Sequence, residues 1–263
     1  MNYLVYIVFG LAPSVIWLLF YLRKDIHPES NRMILKIFTY GLAATIPASL
    51  AEMGIFFTIT KGGGDLSSWN FGSPLMFLVY GFLGVALVEE VIKYIIVREK
   101  VLKHPEFDEP VDVMLYMIIV ALGFAALENI FYLLPADGQQ PILLETIFTS
   151  LFRFIGATFL HSLCSATFGY FLALSFCRAK GKTRIVALGL GLATVLHGLF
   201  NFFIIKLGES LSLEKVTGGL IVTNQSAFVF SLASLIALLA GLTIFVLWGF
   251  RRLKRLASVC KVR

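Results

Sequence analysis

The sequence predicts an all-α bundle of about seven membrane-crossing helices, and three observations carry that prediction. Of its 263 residues 58% are hydrophobic and only 14% charged, where a soluble domain carries about a quarter charged residues. The mean hydropathy is +0.87. The apolar residues gather into seven stretches, each able to supply the roughly 20 helical residues that cross a bilayer core of about 30 Å. Such a composition excludes an ordinary water-soluble enzyme and a disordered chain.

The first span covers 2–22. It lacks a basic leader and a convincing small-residue cleavage site, so it reads as a retained helix and not a removed signal peptide. A turn at 25–30 containing Pro28 separates it from the second span, 34–59, which stops at Gly62-Gly63-Gly64. The third, 73–97, precedes His104-Pro105, and the fourth, 111–134, precedes a Pro-bounded loop at 135–141. The fifth and sixth cover 147–177 and 184–206, and Gly218-Gly219 separates them from the seventh, 225–250. Short connections leave no room for an extramembrane domain, so 1–263 reads as a single integral membrane domain.

Basic residues set the expected orientation. Arg23, Lys24, Arg32 and Lys36, then Arg98, Lys100 and Lys103, then Arg178, Lys180, Lys182 and Arg184, and the tail residues Arg251, Arg252, Lys254, Arg255, Lys261 and Arg263 all fall on one face. Only Lys61, Lys206 and Lys215 fall on the other. The positive-inside rule then gives an outside N-terminus and a cytoplasmic C-terminus. The net charge of +6 thus records topology and implies no nucleic-acid partner, while the basic tail is suited to fixing topology or binding anionic lipid. With Cys164 and Cys177 in or at the end of the fifth span and Cys260 in the tail, no disulfide is expected to matter. No internal repeat, P-loop, GxGxxG or His-Glu-x-x-His pattern occurs.

An ionisable group in a bilayer core costs about 2.5–3.5 kcal/mol on insertion scales, which makes each one a functional candidate. The spans hold Glu52, Glu89, Glu90, Lys93, Glu128, Arg153, His161 and His197, accompanied by Asn129 and Asn201. On a helix Lys93 is the i+4 neighbour of Glu89 and the i+3 neighbour of Glu90. It can hold one carboxylate ionised while crowding by like charge keeps the other protonated, giving a base beside an acid. In the fourth span Glu128 and Asn129 follow small residues at 121, 123, 125 and 126 that allow close helix approach. His161 lies near the middle of the fifth span, and His197 and Asn201 are one turn apart on the sixth. In a chain with 4 histidines, two at mid-membrane depth on successive helices are expected to converge. Carboxylates, imidazoles and an amide together supply a base for water and donors for an oxyanion, the minimum for peptide hydrolysis without a covalent intermediate. The same residues suit a divalent metal.

The Glu-Glu-x-x-Lys of Glu89 to Lys93, the Gly-Phe-Ala-x-x-Glu-Asn of Gly123 to Asn129, the mid-helix His161 and the His-Gly-Leu-Phe-Asn of His197 to Asn201 resemble, in order, the motifs of the PrsW family of bacterial intramembrane proteases. That family is related to the CAAX prenyl endopeptidases and the bacteriocin-processing membrane proteases. The Asp-Glu-Pro-Val-Asp run from Asp108, leading to Tyr116, is similar to the family's approach to its fourth span. The likeness covers roughly 45–205, leaving the spans at 2–22 and 225–250 outside. It implies that Glu89 and Glu90 are the catalytic pair, one of them activating water, and that His161 and His197 complete the site. Asn201 would assist His197 at the oxyanion, and Lys93, Glu128 and Asn129 would support charge and geometry. It also implies a bacterial cytoplasmic membrane, no obligatory cofactor, and a single-span membrane protein as substrate. In the family that substrate is an anti-sigma factor whose first cut releases a stress-response sigma factor. The metal-dependent alternative places an ion such as zinc on Glu89, Glu90, His161 and His197. The CAAX enzymes carry Glu-Glu-x-x-x-Arg, and Lys93 stands one position earlier, which makes prenylated peptides the poorer expectation.

At 1.5 Å per residue, Glu89 is about 12 Å from the end of the third span and Glu128 about 26 Å from the start of the fourth. Their meeting requires a third helix that continues past Lys100 or a tilted helix, and continuation is expected, because 98–103 contains no breaker. A proton-coupled transporter or channel is the main rival, with Glu52 its best-fitting residue, but many transporters show repeats and this chain has none. A retinal receptor would need a lysine that the last span lacks, and an inactive scaffold would not need the intact motif set. Arg153 either contacts the site or extends toward the membrane surface.

Overall fold

A helix that is apolar on every side belongs inside protein, and the helix α5 (Pro110–Leu133) occupies that place: Pro110 to Ala126 is buried without interruption. Around it the computed structural model arranges α1 (Tyr3–Leu22), α2 (Asn31–Thr60), α4 (Leu87–Lys100), α6 (Leu143–Ile155), α7 (Ala157–Phe176) and α9 (Gln225–Leu256). The helix α8 (Lys182–Glu209) packs on α7, α9 and α4. The described residues are 3–23, 29–61, 73–105, 107–134, 143–178, 180–213 and 220–256. The turns read at 25–28, 62–64, 135–141 and 218–219, and the tail with Cys260, lie outside them. Seven helical segments among the described residues are long and apolar enough to cross a membrane, matching the seven expected spans of an all-α polytopic bundle.

Local chemistry explains where the helices start. The Ser30 hydroxyl accepts the Met33 amide at 3.2 Å at the head of α2. The Asp112 carboxylate accepts the amides of Glu109 at 2.7 Å and Asp108 at 3.2 Å, while Pro110 occupies the first turn of α5, where no amide partner is required. The acidic run that leads to the fourth span is therefore a helix cap. Two glycines then let α2 and α5 touch backbone to backbone. A Cβ on Gly123 would stand 2.0 Å from the Phe38 carbonyl oxygen, and one on Gly41 would stand 2.1 Å from that of Val120.

Three departures from the expected spans affect the site. The third span is built from α3 (Pro74–Val79), a π-helical stretch (Tyr80–Ala86) and α4, so the wide turn ends just before Glu89. That span does not continue past Lys100, which corrects the expectation from the sequence: the chain turns over 101–103. The turn is driven by burial, because it tucks Val101 (0% exposed) and Phe107 (2% exposed) under the bundle. The fifth span is not one helix but two, broken at Gly156, whose φ −93° and ψ −95° leave the helical region. The carbonyl of Phe154 is capped from another helix by the Trp17 indole N–H at 2.9 Å.

Beyond α8 a short antiparallel pair, β1 (Leu211–Leu213) and β2 (Leu220–Val222), occupies what reads in sequence as a loop. Cys164 is a free, buried thiol.

Candidate active site

One turn of α4 carries the centre of the site. Glu89 is 4% exposed, and Glu90 and Lys93 are fully buried. The Lys93 ammonium donates to Glu89 Oε2 at 3.1 Å and Glu90 Oε1 at 2.8 Å, the two helical contacts legible in the sequence. Its third N–H points at His161 Nδ1, 3.0 Å away on α7. An ammonium has three donors and no acceptor, so Nδ1 is the accepting nitrogen and the His161 proton sits on Nε2. That proton is donated to Glu128 Oε2 on α5 at 2.8 Å. The Phe124 ring closes the other side, 4.6 Å from the ammonium.

Glu90 is committed through both oxygens. Oε1 accepts from Lys93 and, at 3.2 Å, from His197 Nδ1 on α8; Oε2 accepts the Ser165 hydroxyl at 3.0 Å. A carboxylate offers no donor, so Nδ1 of His197 carries the proton shared with Glu90 and Nε2 faces away from it. Glu89, by contrast, is held only through Oε2. Its Oε1 has no hydrogen-bond partner among the described residues. The two imidazole rings stand 4.9 Å apart, edge to face, and Glu89, His161 and His197 each bring one ligand atom within 4.8 Å of the others.

The structure thus gathers Glu89, Glu90, Lys93, Glu128, His161 and His197 into one buried cluster. The depth mismatch between Glu89 and Glu128 is spanned by His161, whose two nitrogens face opposite ways: Nδ1 is 3.6 Å from Glu89 Oε2 while Nε2 bonds Glu128. Neither an extended third helix nor direct contact of the carboxylates is needed.

Asn129 and Asn201 make no hydrogen bond to these six residues. The Asn129 amide donates to the Gly10 carbonyl at 3.2 Å and the Thr158 hydroxyl at 2.9 Å and accepts from Arg153 at 2.5 Å, which ties α5 to α1, α7 and α6. Asn201 lines a narrow crevice with Phe82 and Gly198 beside the π-helical stretch and bonds no described side chain. Glu52 lies within electrostatic reach of Lys93 and Glu128, and its Oε1 is buried with no described hydrogen-bond partner.

Two contributors escape a reading of the sequence. Ser165 is one turn beyond His161 on the same face of α7, a His-x-x-x-Ser spacing that could have marked it. Phe124 carries no such signal, since an aromatic in an apolar span is ordinary core.

A family model described as "PrsW family intramembrane metalloprotease" matches residues 29–246, which takes in most of the last span as well as the region from 45 to 205. A "Protease PrsW" of Geobacillus kaustophilus (strain HTA426) is 30% identical over 197 residues, covering 74% of this chain and 78% of its own length. That of Bacillus subtilis (strain 168) is 30% identical over 202 residues, covering 76% and 83%. That of Clostridioides difficile (strain 630) is 28% identical over 130 residues, covering 48% and 52%. No solved structure matches at a significant level.

Proposed function

We propose, from the premise that this chain belongs to the PrsW family of intramembrane proteases, that it hydrolyses its substrate with a water molecule activated by Glu89. The observation that carries the reading is the free Oε1 of Glu89: of the two carboxylates bonded to Lys93, Glu90 is engaged through both oxygens and Glu89 through Oε2 alone. Glu89 takes a proton from water as the water oxygen bonds the scissile carbonyl carbon. The same proton passes to the leaving nitrogen as the C–N bond breaks, leaving a carboxyl and an amine. His197, whose Nε2 lone pair is uncommitted, accepts from the water and aims it. Glu90 is the group that holds His197 and Lys93 in place. Asn201, with its amide unclaimed, is the donor assigned to the oxyanion, and the Lys93 ammonium stabilises the charge that develops near it.

The substrate we assign is a single-span membrane-anchored regulator of the anti-sigma-factor kind. The setting is the bacterial cytoplasmic membrane, with the basic ends of the spans on the cytoplasmic side.

The family description implies a metal, and the donor set fits one. Glu89, His161 and His197 are the residues that would hold it, and each imidazole is backed by a carboxylate, as metal-ligating histidines usually are. A bound divalent ion would supply a Lewis acid and a more acidic water. Lys93 would then give up two of its three partners, Glu89 and His161.

The test uses purified protein in bilayers with a single-span substrate. Glu89→Gln is expected to lose about 10²–10⁴-fold in cleavage rate while unfolding with the wild type. Undiminished cleavage by that variant refutes the assignment. Elemental analysis, with activity measured after chelation and again after adding back zinc, separates the metal-free mechanism from the metal-assisted one.

A further inference from the structure

We propose that Arg153 is a positioning residue of the active site, acting through Glu128 to fix the imidazole of His161. The inference rests on reading His161 as a member of the proteolytic site.

Arg153 and Lys93 are the lysine and arginine residues that lie away from the ends of the spans read from the sequence, and a cation at that depth needs a partner. In one continuous helix, the eight-residue step from Arg153 to His161 would separate them by about 12 Å along the axis. The break at Gly156 ends α6 before α7 begins, and the Arg153 guanidinium reaches α5 instead. There it is engaged by one turn of that helix. Nη2 is 3.0 Å from Glu128 Oε2, Nε donates to Asn129 at 2.5 Å, and the guanidinium lies 4.0 Å from the Tyr132 ring centroid. A planar fork with a stacking face fits this arrangement, and a lysine does not.

The oxygen that meets Arg153 is the one that accepts from His161. Glu128 Oε2 pairs by charge with the guanidinium and accepts, at 2.8 Å, the imidazole Nε2–H. The Glu128 side chain is 22% exposed and that of Arg153 12%, so the ion pair with Arg153 reinforces the His161 hydrogen bond in keeping the carboxylate turned inward. With Glu128 fixed, the ring presents Nδ1 to Lys93 and Glu89. Arg153 also neutralises Glu128, leaving Lys93 to Glu89 and Glu90.

Cleavage kinetics on the full chain in bilayers test the role. Arg153→Gln is expected to lower kcat about 10- to 100-fold, the usual effect of losing an outer partner of a site histidine, with KM unchanged. Arg153→Lys, which keeps the charge but not the fork, recovers part of the loss. Glu128→Gln is expected to match Arg153→Gln, and the double variant to be no slower than either, because both act on one imidazole. Ser150→Ala cuts another tie of α6, the hydroxyl donated to the Phe9 carbonyl at 2.7 Å, and is expected to leave kcat unchanged. Wild-type cleavage by Arg153→Gln overturns the proposal, as do losses that multiply in the double variant or a Ser150→Ala loss equal to that of Arg153→Gln. If Arg153→Gln does not fold, Arg153→Lys carries the same cycle with Glu128→Gln. His161→Ala distinguishes the two readings: normal cleavage there removes His161 from the site, whereas loss there with none at Arg153 removes only the role of Arg153.

Discussion

Lys93→Met would show how strongly one ammonium holds this site together. The lysine is fully buried and donates to two carboxylates at 3.1 and 2.8 Å and to an imidazole at 3.0 Å. Methionine keeps most of the side-chain volume and removes the charge, so Glu89 and Glu90 would face each other with nothing between them. Removing one partner of a buried ion pair costs about 3–5 kcal/mol, chiefly because the other charge is left uncompensated. For a chain of this size that corresponds to a fall in melting temperature on the order of 10 °C. The decisive comparison adds Glu90→Gln, which removes the uncompensated charge at the more buried position. Lys93→Met/Glu90→Gln should regain most of the stability lost by Lys93→Met and none of the cleavage. Thermal unfolding in detergent, followed by circular dichroism, reads the first; substrate cleavage reads the second. If Lys93→Met melts with the wild type, or the added Glu90→Gln deepens the loss, then the ammonium is not what compensates these carboxylates.

Other outcomes follow from single contacts. Ser165→Ala leaves Glu90 Oε2 without its 3.0 Å donor; it should destabilise by about 1–3 kcal/mol and slow cleavage, read by the same melting and cleavage measurements. Gly123→Ala would drive a Cβ to 2.0 Å from the Phe38 carbonyl oxygen and should cost at least about 1–3 kcal/mol. Gly54→Ala, with nothing within 4 Å, should be neutral or stabilising by up to about 1 kcal/mol; equal melting of the two variants would contradict the α2–α5 contact. Trp17→Phe keeps a ring against Phe159, now stacked at 4.2 Å, but removes the cap on the Phe154 carbonyl. It should lower the melting temperature by the equivalent of about 1–3 kcal/mol.

The seven spans and the Glu89–Glu90–Lys93 turn are legible in the sequence because they depend on local rules: the apolar length a bilayer requires, and the helical period that brings residues three and four apart together. The convergence of His161 and His197 is legible only as an expectation, drawn from the cost of polar groups at that depth. Which partners they take is not. His197 meets Glu90 across 107 residues of chain and His161 meets Lys93 across 68, and such contacts depend on how α7 and α8 pack against α4, which no local period encodes. Asn129 shows the limit: beside Glu128 in sequence it reads as a site residue, yet successive residues on a helix point about 100° apart, and its amide ties α1, α6 and α7 to α5.

The third and fifth spans divide along the same line. Their apolar character announces that they cross a membrane, but not that the third turns away after Lys100 to bury Val101 and Phe107, or that the fifth breaks at Gly156. Those are decisions of packing. The break has a partner only because Trp17 is on hand to cap Phe154, and it has a consequence only because α5 presents Glu128 where Arg153 arrives. By itself the sequence determined that charges sit within the apolar spans and that they follow the motif order of a membrane-protease family. Tertiary structure alone decided which of the two carboxylates bonded to Lys93 keeps a free oxygen, because hydrogen bonds within a bilayer core must be completed by whatever groups the neighbouring helices bring.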